Sequence, residues 1–460
     1  MTDALTRRGF LRLALAVGAT LPLGTGESGA DLPQSAEPPT PSWLDAALQA
    51  ARWLRTTRVG TPQGLLWLNG PERPEGLIST PDLYSGTSGI VLFLLELARA
   101  TGDKAWREEA AAGADYLIAT LPERLDLRMS SPGLYTGLAG IGFTLHRVYK
   151  ETGDEKYRKA AVRCRDLIHA AAQPAGAGVQ WGEITDIIGG AAGTGLYLLN
   201  VAREMDDASS RDLAVRAGLR LAELGIPEAG GLKWRMNPEF KRLMPNFSHG
   251  TAGNAYFLAT LHRETGRKEF LDAALAGARY LRSIANTQGD GCLIFHNEPE
   301  GKDLYYLGWC HGPVGTARLW VRLHQIDGEA GWLEWARKGA KSILASGVPE
   351  EKRPGFWNNA GQCCGSAGVA AFFLDLAKLT GDESYRAHAR RVARHLVAHG
   401  TATPGDGLKW VDAEHRLQAD YTYAQTGYMQ GAAGIGMLLL QMDATEKNRE
   451  WTFRLPDSPF

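Results

Sequence analysis

Three consecutive loops in the second half of the chain carry side chains of the types that bind transition metals. They read SHG at 248–250, WCHG at 309–312 and QCCG at 362–365. Cys310, Cys363 and Cys364 offer three thiolates, and three protein ligands with an open fourth position are typical of catalytic zinc. The alternative is three buried free thiols, since free cysteine is among the residues most often buried.

Two titratable residues lie on corresponding loops of neighbouring repeats. His249 lies in the first of these loops, and Asp186 precedes the loop IGGAAG one repeat earlier. Histidine titrates in the range suited to giving or taking a proton, and Asp186 could orient it or act as the base. The duller alternatives are an N-cap for the aspartate and a core hydrogen bond for the histidine. We predict that both residues face one cavity and act in acid–base chemistry.

The elements that must position these residues are seven repeats. A Gly-x-x-Gly loop recurs as YSGTSG, YTGLAG, IGGAAG, SHGTAG, CHGPVG, CCGSAG and MQGAAG, with 51 to 66 residues between successive copies. This spacing accommodates two helices per repeat. The repeats also account for much of the glycine content of 55 residues, which exceeds the usual share of roughly 7%.

Each loop precedes a helix of one type, and a helix of a second type follows in most repeats. Runs such as IVLFLLELARATG are apolar nearly all round and indicate a buried inner helix. Stretches such as KYRKAAVRCRDLIHAA have apolar residues at three- and four-residue steps and indicate an outer helix with one solvated face. We therefore predict an all-α fold, an (α/α)7 double toroid of seven inner and seven outer helices. The glycines at the inner-helix N-termini would let backbones crowd around a central cavity.

Short strands are expected in the rim loops, where glycine and tryptophan recur together. The tryptophans could line the mouth of the cavity as an apolar platform for a peptide or a sugar, or they could pack the loops onto the barrel. Both interpretations remain open from the sequence. The residues concerned are Trp67, Trp181, Trp234, Trp357 and Trp410.

The N-terminus predicts export. Arg7 and Arg8 precede an apolar stretch from Phe10 to Leu23, followed by small residues at 28–30. This pattern is typical of a twin-arginine signal peptide over residues 1–30, and the apolar stretch is shorter than the ~20 residues of a membrane-spanning helix. An uncleaved anchor is the alternative. Residues 31–42 are rich in proline and indicate a linker, so the folded domain is predicted at 43–460, with a periplasmic or extracellular destination.

Charge and cysteine content exclude several classes of protein. A net charge of −1 provides no basic surface for nucleic acid or anionic membranes, so we expect neither nucleic acid nor stable membrane insertion. The five cysteines lack the dense spacing of a disulfide framework, and neighbouring cysteines such as Cys363 and Cys364 rarely pair with each other. A closed toroid needs no second copy to complete its core, so we expect a monomer.

The sevenfold repeat, with SHG, WC-x-G and a third paired-ligand loop, resembles the lanthionine synthetase cyclase (LanC) family over essentially the whole chain after the linker. The resemblance implies a double toroid with a Zn²⁺ cofactor, which activates a peptide cysteine for addition to dehydroalanine or dehydrobutyrine. It places Cys310, Cys363 and Cys364 on the zinc ligands, and His249 and Asp186 on the acid–base positions. The implied substrate is a dehydrated peptide, or a small thiol in a variant of the same chemistry.

Three residues depart from the family pattern. Cys364 stands where the third ligand is usually histidine, which gives a tris-thiolate site. Tyr306 stands where the family often has arginine, four residues before the first zinc cysteine, so a partner for an enolate or carboxylate is missing there. His311 follows Cys310 where an aromatic residue is common, and it could act as an acid–base group or compete as a ligand.

Two other classes of function remain open from the sequence. Some α/α barrels hydrolyse glycosides, which requires two carboxylates across one cleft. Asp186 is the clear candidate for such a carboxylate, Glu183 and Asp82 are weaker ones, and the three cysteines have no role in that chemistry. The other class is a non-catalytic protein that binds a peptide or a sugar in the same cavity.

Overall fold

Fourteen α-helices alternate between two environments in the computed structural model, which describes residues 42–73, 78–287 and 289–460. The even-numbered helices are buried on nearly all sides, and the odd-numbered helices bury one face. In chain order they are α1 (Trp43–Thr56), α2 (Thr87–Thr101), α3 (Lys104–Ala119), α4 (Leu138–Thr152), α5 (Glu155–Ala170), α6 (Ala191–Glu204), α7 (Ala208–Glu223), α8 (Thr251–Thr265), α9 (Lys268–Ile284), α10 (Pro313–Asp327), α11 (Ala330–Ser346), α12 (Ser366–Thr380), α13 (Glu383–Ala398) and α14 (Ala432–Glu446).

The helices close into a ring. Each inner helix from α2 to α12 packs against the outer helix that follows it, and α14 packs against both α2 and α1. The seventh outer helix therefore comes from the beginning of the folded region rather than from its end. The predicted double toroid of seven inner and seven outer helices is confirmed.

Short strands occupy the rim loops, as predicted. All pairs are antiparallel except β7–β8, which is parallel, and the pairs are β1–β2, β3–β4, β5–β6, β7–β8, β9–β10 and β11–β12. Their bounds are β1 (Arg58–Thr61), β2 (Gly64–Trp67), β3 (Gln173–Ala175), β4 (Gly178–Gln180), β5 (Ile226–Glu228), β6 (Gly231–Lys233), β7 (Tyr305–Tyr306), β8 (Phe356–Trp357), β9 (Thr401–Thr403), β10 (Gly407–Lys409), β11 (Val411–Ala413) and β12 (Thr422–Ala424).

Four of the five rim tryptophans fasten hairpins to the barrel. Trp181 Nε1 donates to Ile168 O at 2.7 Å and Trp234 Nε1 to Leu221 O at 2.7 Å, in each case to the end of the preceding outer helix. Trp410 makes the equivalent bond in its own repeat, and Trp67 is fully buried. The packing alternative is therefore correct for these four, and the idea of a broad tryptophan platform is wrong.

The loops that precede the inner helices are joined by a closed ring of seven backbone hydrogen bonds, which we call the loop ring. Each loop donates an amide N–H to a carbonyl of the next loop, and the last loop donates to the first, over distances of 2.7–3.2 Å. The relative positions of neighbouring loops are thus fixed by the backbone. The bonds run from Tyr84 to Tyr135, Tyr135 to Ile188, Ile187 to Ser248, Ser248 to Cys310, Cys310 to Cys363, Cys363 to Met429, and Met429 to Tyr84.

The glycines of the repeat allow each loop to fold back against the first turn of its own helix. A Cβ at Gly250 would lie 1.5 Å from Met244 O, and one at Gly315 would lie 1.9 Å from Trp309 O. The backbone of Gly250 is extended, with φ −147°, so close approach rather than unusual dihedral angles requires glycine there. The sequence prediction of crowded backbones is confirmed.

The segment after α14 returns to the core. Asp457 is fully buried and accepts hydrogen bonds from Tyr135 Oη at 3.0 Å and Trp309 Nε1 at 3.1 Å, so it joins two loops of the loop ring. It also forms an ion pair with Arg318 at 3.0 Å. None of the described helices is long and apolar enough to cross a membrane. The predicted signal at 1–30 and the linker as far as residue 41 lie outside the described residues.

Candidate active site

Three cysteines from two neighbouring loops come together at the centre of the loop ring. Their Sγ atoms all lie within 4.8 Å of one another, with Cys310 and Cys364 3.0 Å apart and Cys363 and Cys364 3.5 Å apart. All three side chains are buried. The loop ring explains the convergence, because Cys310 N donates to Cys363 O and so places side by side two loops that are distant in sequence.

The cluster fits a thiophilic metal. Sulfur atoms bound tetrahedrally to Zn²⁺ at ~2.3 Å lie about 3.8 Å apart, which small side-chain rotations from the present separations would reach. Within the described residues, no other group of three histidine, cysteine or acidic side chains converges in this way. Three soft donors match zinc rather than calcium or magnesium, which prefer oxygen.

Without a metal, the three thiols share protons unequally. Burial raises the pKa of Cys310 and of Cys363. Hydrogen bonds from these two thiols lower the pKa of Cys364, and Gln430 Nε2, 3.6 Å from its sulfur, lowers it further. These hydrogen bonds favour the thiolate form of Cys364.

Two residues that contact the sulfurs were missed at the sequence level. Tyr84 Oη donates to Cys363 Sγ at 3.2 Å, and Gln430 Nε2 lies 3.0 Å from Tyr84 Oη. They come from the first and seventh loops, which are hydrogen-bonded to each other where the loop ring closes. The repeat itself contains the signal that would have found them. Tyr84 stands two residues before its loop glycine, as Cys363 does, and Gln430 stands one residue before, as Cys364 does.

His249 and Asp186 form a hydrogen-bonded pair. The distance from His249 Nδ1 to Asp186 Oδ2 is 2.6 Å, and the carboxylate is 2% exposed. Asp186 Oδ1 also accepts from the amides of Gly189 and Gly190, at 2.8 and 2.9 Å, just before α6. Asp186 therefore has both of the roles considered from the sequence. Its Oδ1 caps the loop before α6, and its Oδ2 orients His249. Because the carboxylate only accepts, Nδ1 carries the hydrogen and Nε2 is left available.

His311 belongs to a group of rings beside the sulfurs rather than to the sulfur cluster. Its ring centre lies 5.6 Å from that of His249 and 4.3 Å from that of His296, and its nitrogens lie outside the group of converging ligand atoms. Burial lowers the pKa of His311 well below its usual range, so the ring is neutral. His296 stacks on Tyr306 with ring centres 4.4 Å apart. Sequence analysis missed His296 because it lies in a long loop outside the repeats.

Sulfurs and rings share one cavity of about 710 Å³. His249, His311 and all three cysteines line it. The carboxylate alternatives from the sequence do not meet there, since Asp82 Oδ1 accepts from Ser85 N at 2.8 Å as a local cap and Glu183 is exposed elsewhere. A glycosidase-type pair formed by Asp186 with either of them is therefore absent from this cavity.

Comparison with known proteins agrees with this architecture. The family model described as lanthionine synthetase C-like protein matches residues 78–455. Among solved structures, nisin cyclase is similar with a TM-score of 0.59 and 17% identity, over 89% of this chain and 95% of that one. An α-1,6-mannanase variant of Salegentibacter sp. has a TM-score of 0.47 and 14% identity, over 88% of this chain and 99% of the mannanase. At these identities the structural likeness concerns the fold, whereas the sequence match covers most of the chain. The chain belongs to the family of lanthionine synthetase C-like proteins.

Proposed function

We propose that this protein is a zinc-dependent enzyme that adds a thiol to dehydroalanine or dehydrobutyrine and so forms thioether links of the lanthionine type. One observation carries the proposal. A three-sulfur cluster and a histidine oriented by a buried aspartate open into the same cavity. Membership of the lanthionine synthetase C-like family supports it.

The reaction needs a thiolate and a mobile proton. Cys310, Cys363 and Cys364 would hold Zn²⁺, which when bound supplies the charge that keeps a substrate thiol ionised at neutral pH. His249 Nε2 accepts the proton that the substrate thiol loses. The sulfur then forms a bond to the β-carbon of the dehydroamino acid, and the electrons of the double bond move onto the carbonyl oxygen. His249 returns the proton to the α-carbon, which completes the balance of atoms and charge.

Asp186 has a positioning role in this scheme. Its carboxylate holds Nδ1–H of His249, so the ring keeps one tautomer and one orientation through both proton transfers. The two amide hydrogen bonds to its other oxygen hold the carboxylate itself in place. His311, neutral and buried beside His249, adds no positive charge near the sulfurs.

The three-thiolate site has a consequence for reactivity. Three thiolates and one Zn²⁺ carry a net charge of −1, whereas a site with a histidine ligand would be neutral. With Zn²⁺ held by these three residues, a substrate thiol would be less strongly acidified and its thiolate more nucleophilic. We expect turnover to depend on pH more steeply than in a Cys364→His variant, since more of the substrate thiol remains protonated at neutral pH.

We also propose that the enzyme works outside the cytoplasm as a monomer, and that residues 1–30 export it already folded by the twin-arginine route. The substrate would be a peptide dehydrated by another protein, or a small thiol and a dehydroamino acid. Export is tested by fusing residues 1–42 to a reporter that is active only after transport. Replacement of Arg7 and Arg8 by lysine should stop transport, and unchanged transport would contradict the assignment.

The function is tested first by metal content. We expect one zinc per chain in the wild type and less than half of that in Cys310→Ala and Cys364→Ala. Cys292→Ala is the matched control, because that buried cysteine lies outside the cluster and should leave zinc unchanged. Zinc-loaded protein should then add a thiol to a dehydroalanine peptide at a rate that both cluster variants lose. A wild type without metal, or zinc-loaded wild type without addition, would overturn the proposal.

A further inference from the structure

Three arginines line the cavity, and they differ in what holds them. Arg242 Nε donates to Glu300 at 3.0 Å, and Arg353 Nε donates to Glu351 at 2.7 Å. The Arg416 side chain makes no hydrogen bond or ion pair with any residue that the structure describes. Its guanidinium group is therefore the one available to a ligand in the cavity.

The backbone fixes Arg416 relative to the cysteine cluster. It begins a short 3-10 helix, Arg416–Gln418, in the connection between β11 and β12. This hairpin is tied to the loop that leads to Cys363. Asp412 Oδ2 accepts from Ala360 N at 2.9 Å, and Asn359 Nδ2 donates to Ala413 O at 3.1 Å. The hairpin that carries Arg416 is thus hydrogen-bonded to the loop that presents two of the sulfurs.

Two rings lie within electrostatic range of both Arg416 and the sulfurs. Burial raises the pKa of Tyr306, the charges of Cys364 and Cys310 raise it further, and the charge of Arg416 opposes them. Burial also lowers the pKa of His296, where Arg416 and Cys364 again act in opposite directions. Arg416, both rings and the three cysteines line the same cavity, so one ligand in that cavity has the sulfurs and the guanidinium available to it.

We propose that Arg416 binds a carboxylate of the thiol substrate and so selects thiols that also carry a carboxylate, such as an amino-acid thiol or a C-terminal cysteine. Guanidinium groups bind carboxylates through two parallel hydrogen bonds, which gives strength and orientation. Leu417, the next residue, is 75% exposed and lines the same cavity, so it offers an apolar contact beside the charge. The identity of the ligand as a thiol rests on the proposed function.

The test measures binding rather than turnover. Calorimetry on the zinc-loaded full chain compares N-acetylcysteine with its amide, which differs only in lacking the carboxylate charge. We expect the acid to bind about tenfold more tightly than the amide, because it gains one charge-assisted hydrogen-bonded contact. This preference should weaken as the salt concentration rises. Arg416→Gln should abolish the preference, and Arg416→Lys should keep part of it. Arg353→Gln is the matched control, because that guanidinium is already held by Glu351.

The outcomes separate this proposal from the proposed function. An equal preference for the acid in Arg416→Gln, or no preference in the wild type, would overturn the carboxylate assignment even if the enzyme turns over the amide. A preference that Arg416→Gln removes would support the assignment even if no thiol addition occurs. A loss of kcat with both thiols at unchanged affinity would place the guanidinium on the enolate and would also overturn it.

Discussion

Asp186→Asn is the change that most directly tests the proposed proton transfer. Asparagine keeps the size of the side chain, and its oxygen can still accept from the amides of Gly189 and Gly190. Its NH₂ group then faces His249 Nδ1, where the carboxylate oxygen stood 2.6 Å away. Two donors cannot share that contact, so Nδ1 must become the acceptor and the hydrogen moves to Nε2. Nε2 then cannot take the proton of the substrate thiol.

The expected loss of kcat is the contribution of a positioned general acid–base, which His249 can no longer provide. A positioned general acid–base is worth about 10²- to 10⁴-fold in rate, so Asp186→Asn should lower kcat by at least about 10². The zinc content should stay at the wild-type value, because Asp186 contacts no cysteine. The assay is thiol addition to a dehydroalanine peptide at saturating substrate, with a thermal melt to verify folding. Asp82→Asn is the control, since Asp82 caps a corresponding loop without a histidine partner. Activity of Asp186→Asn within threefold of wild type would refute the mechanism.

Three further predictions concern stability. Gly315→Ala should lower the free energy of unfolding by about 2–4 kcal/mol, because its Cβ would lie 1.9 Å from Trp309 O. The control is Gly331→Ala, which has open space around it and should cost nothing. Equal effects of the two substitutions in denaturant unfolding would contradict this reasoning. Asp457→Ala should cost about 3–5 kcal/mol, because it removes the buried carboxylate that pairs with Arg318 and accepts from Tyr135 and Trp309, and a loss below 1 kcal/mol would refute that role. Burial, reinforced by a nearby arginine, lowers the pKa of His388 to about 4, below its unfolded value near 6.5. The folded state therefore resists protonation, and stability should fall by about 2 kcal/mol from pH 6.5 to 4.5 in wild type but not in His388→Phe; identical pH profiles would contradict it.

The fold could be predicted from the sequence because the same loop and helix pattern recurs in successive repeats. The Gly-x-x-Gly loops, the apolar helices and the amphipathic helices recur often enough that their sum predicts a closed ring. The sequence did not indicate which outer helix pairs with the seventh inner helix. That partner is α1, which lies at the opposite end of the folded region from α14. Only their packing shows that they form the seventh pair.

The candidate site also contains residues that the sequence predicts and residues that it does not. Cys310, Cys363 and Cys364 were predictable, since their residue type and loop position both point to metal binding. Tyr84 and Gln430 occupy the same loop positions but are ordinary residue types, so residue type alone gave no reason to choose them. His296 and Arg416 lie in loops of irregular length that no repeat predicts. For Trp181, Trp234 and Trp410 the regular pattern has a structural cause rather than a functional one, because their indole nitrogens donate to carbonyls of outer helices.

The closure of the loop ring also determines when this molecule can become complete during its synthesis. Gln430 bonds to Tyr84 across 346 residues, and Asp457 bonds to Tyr135 across 322 residues. A ribosome therefore releases the first loops long before their partners exist, and the face of α2 that packs against α14 stays uncovered until then. Contacts between such distant parts of a chain form slowly. Assembly of the barrel must wait for translation of residues 429–457, and a chaperone that acts during this interval would bind the face of α2 that α14 later covers.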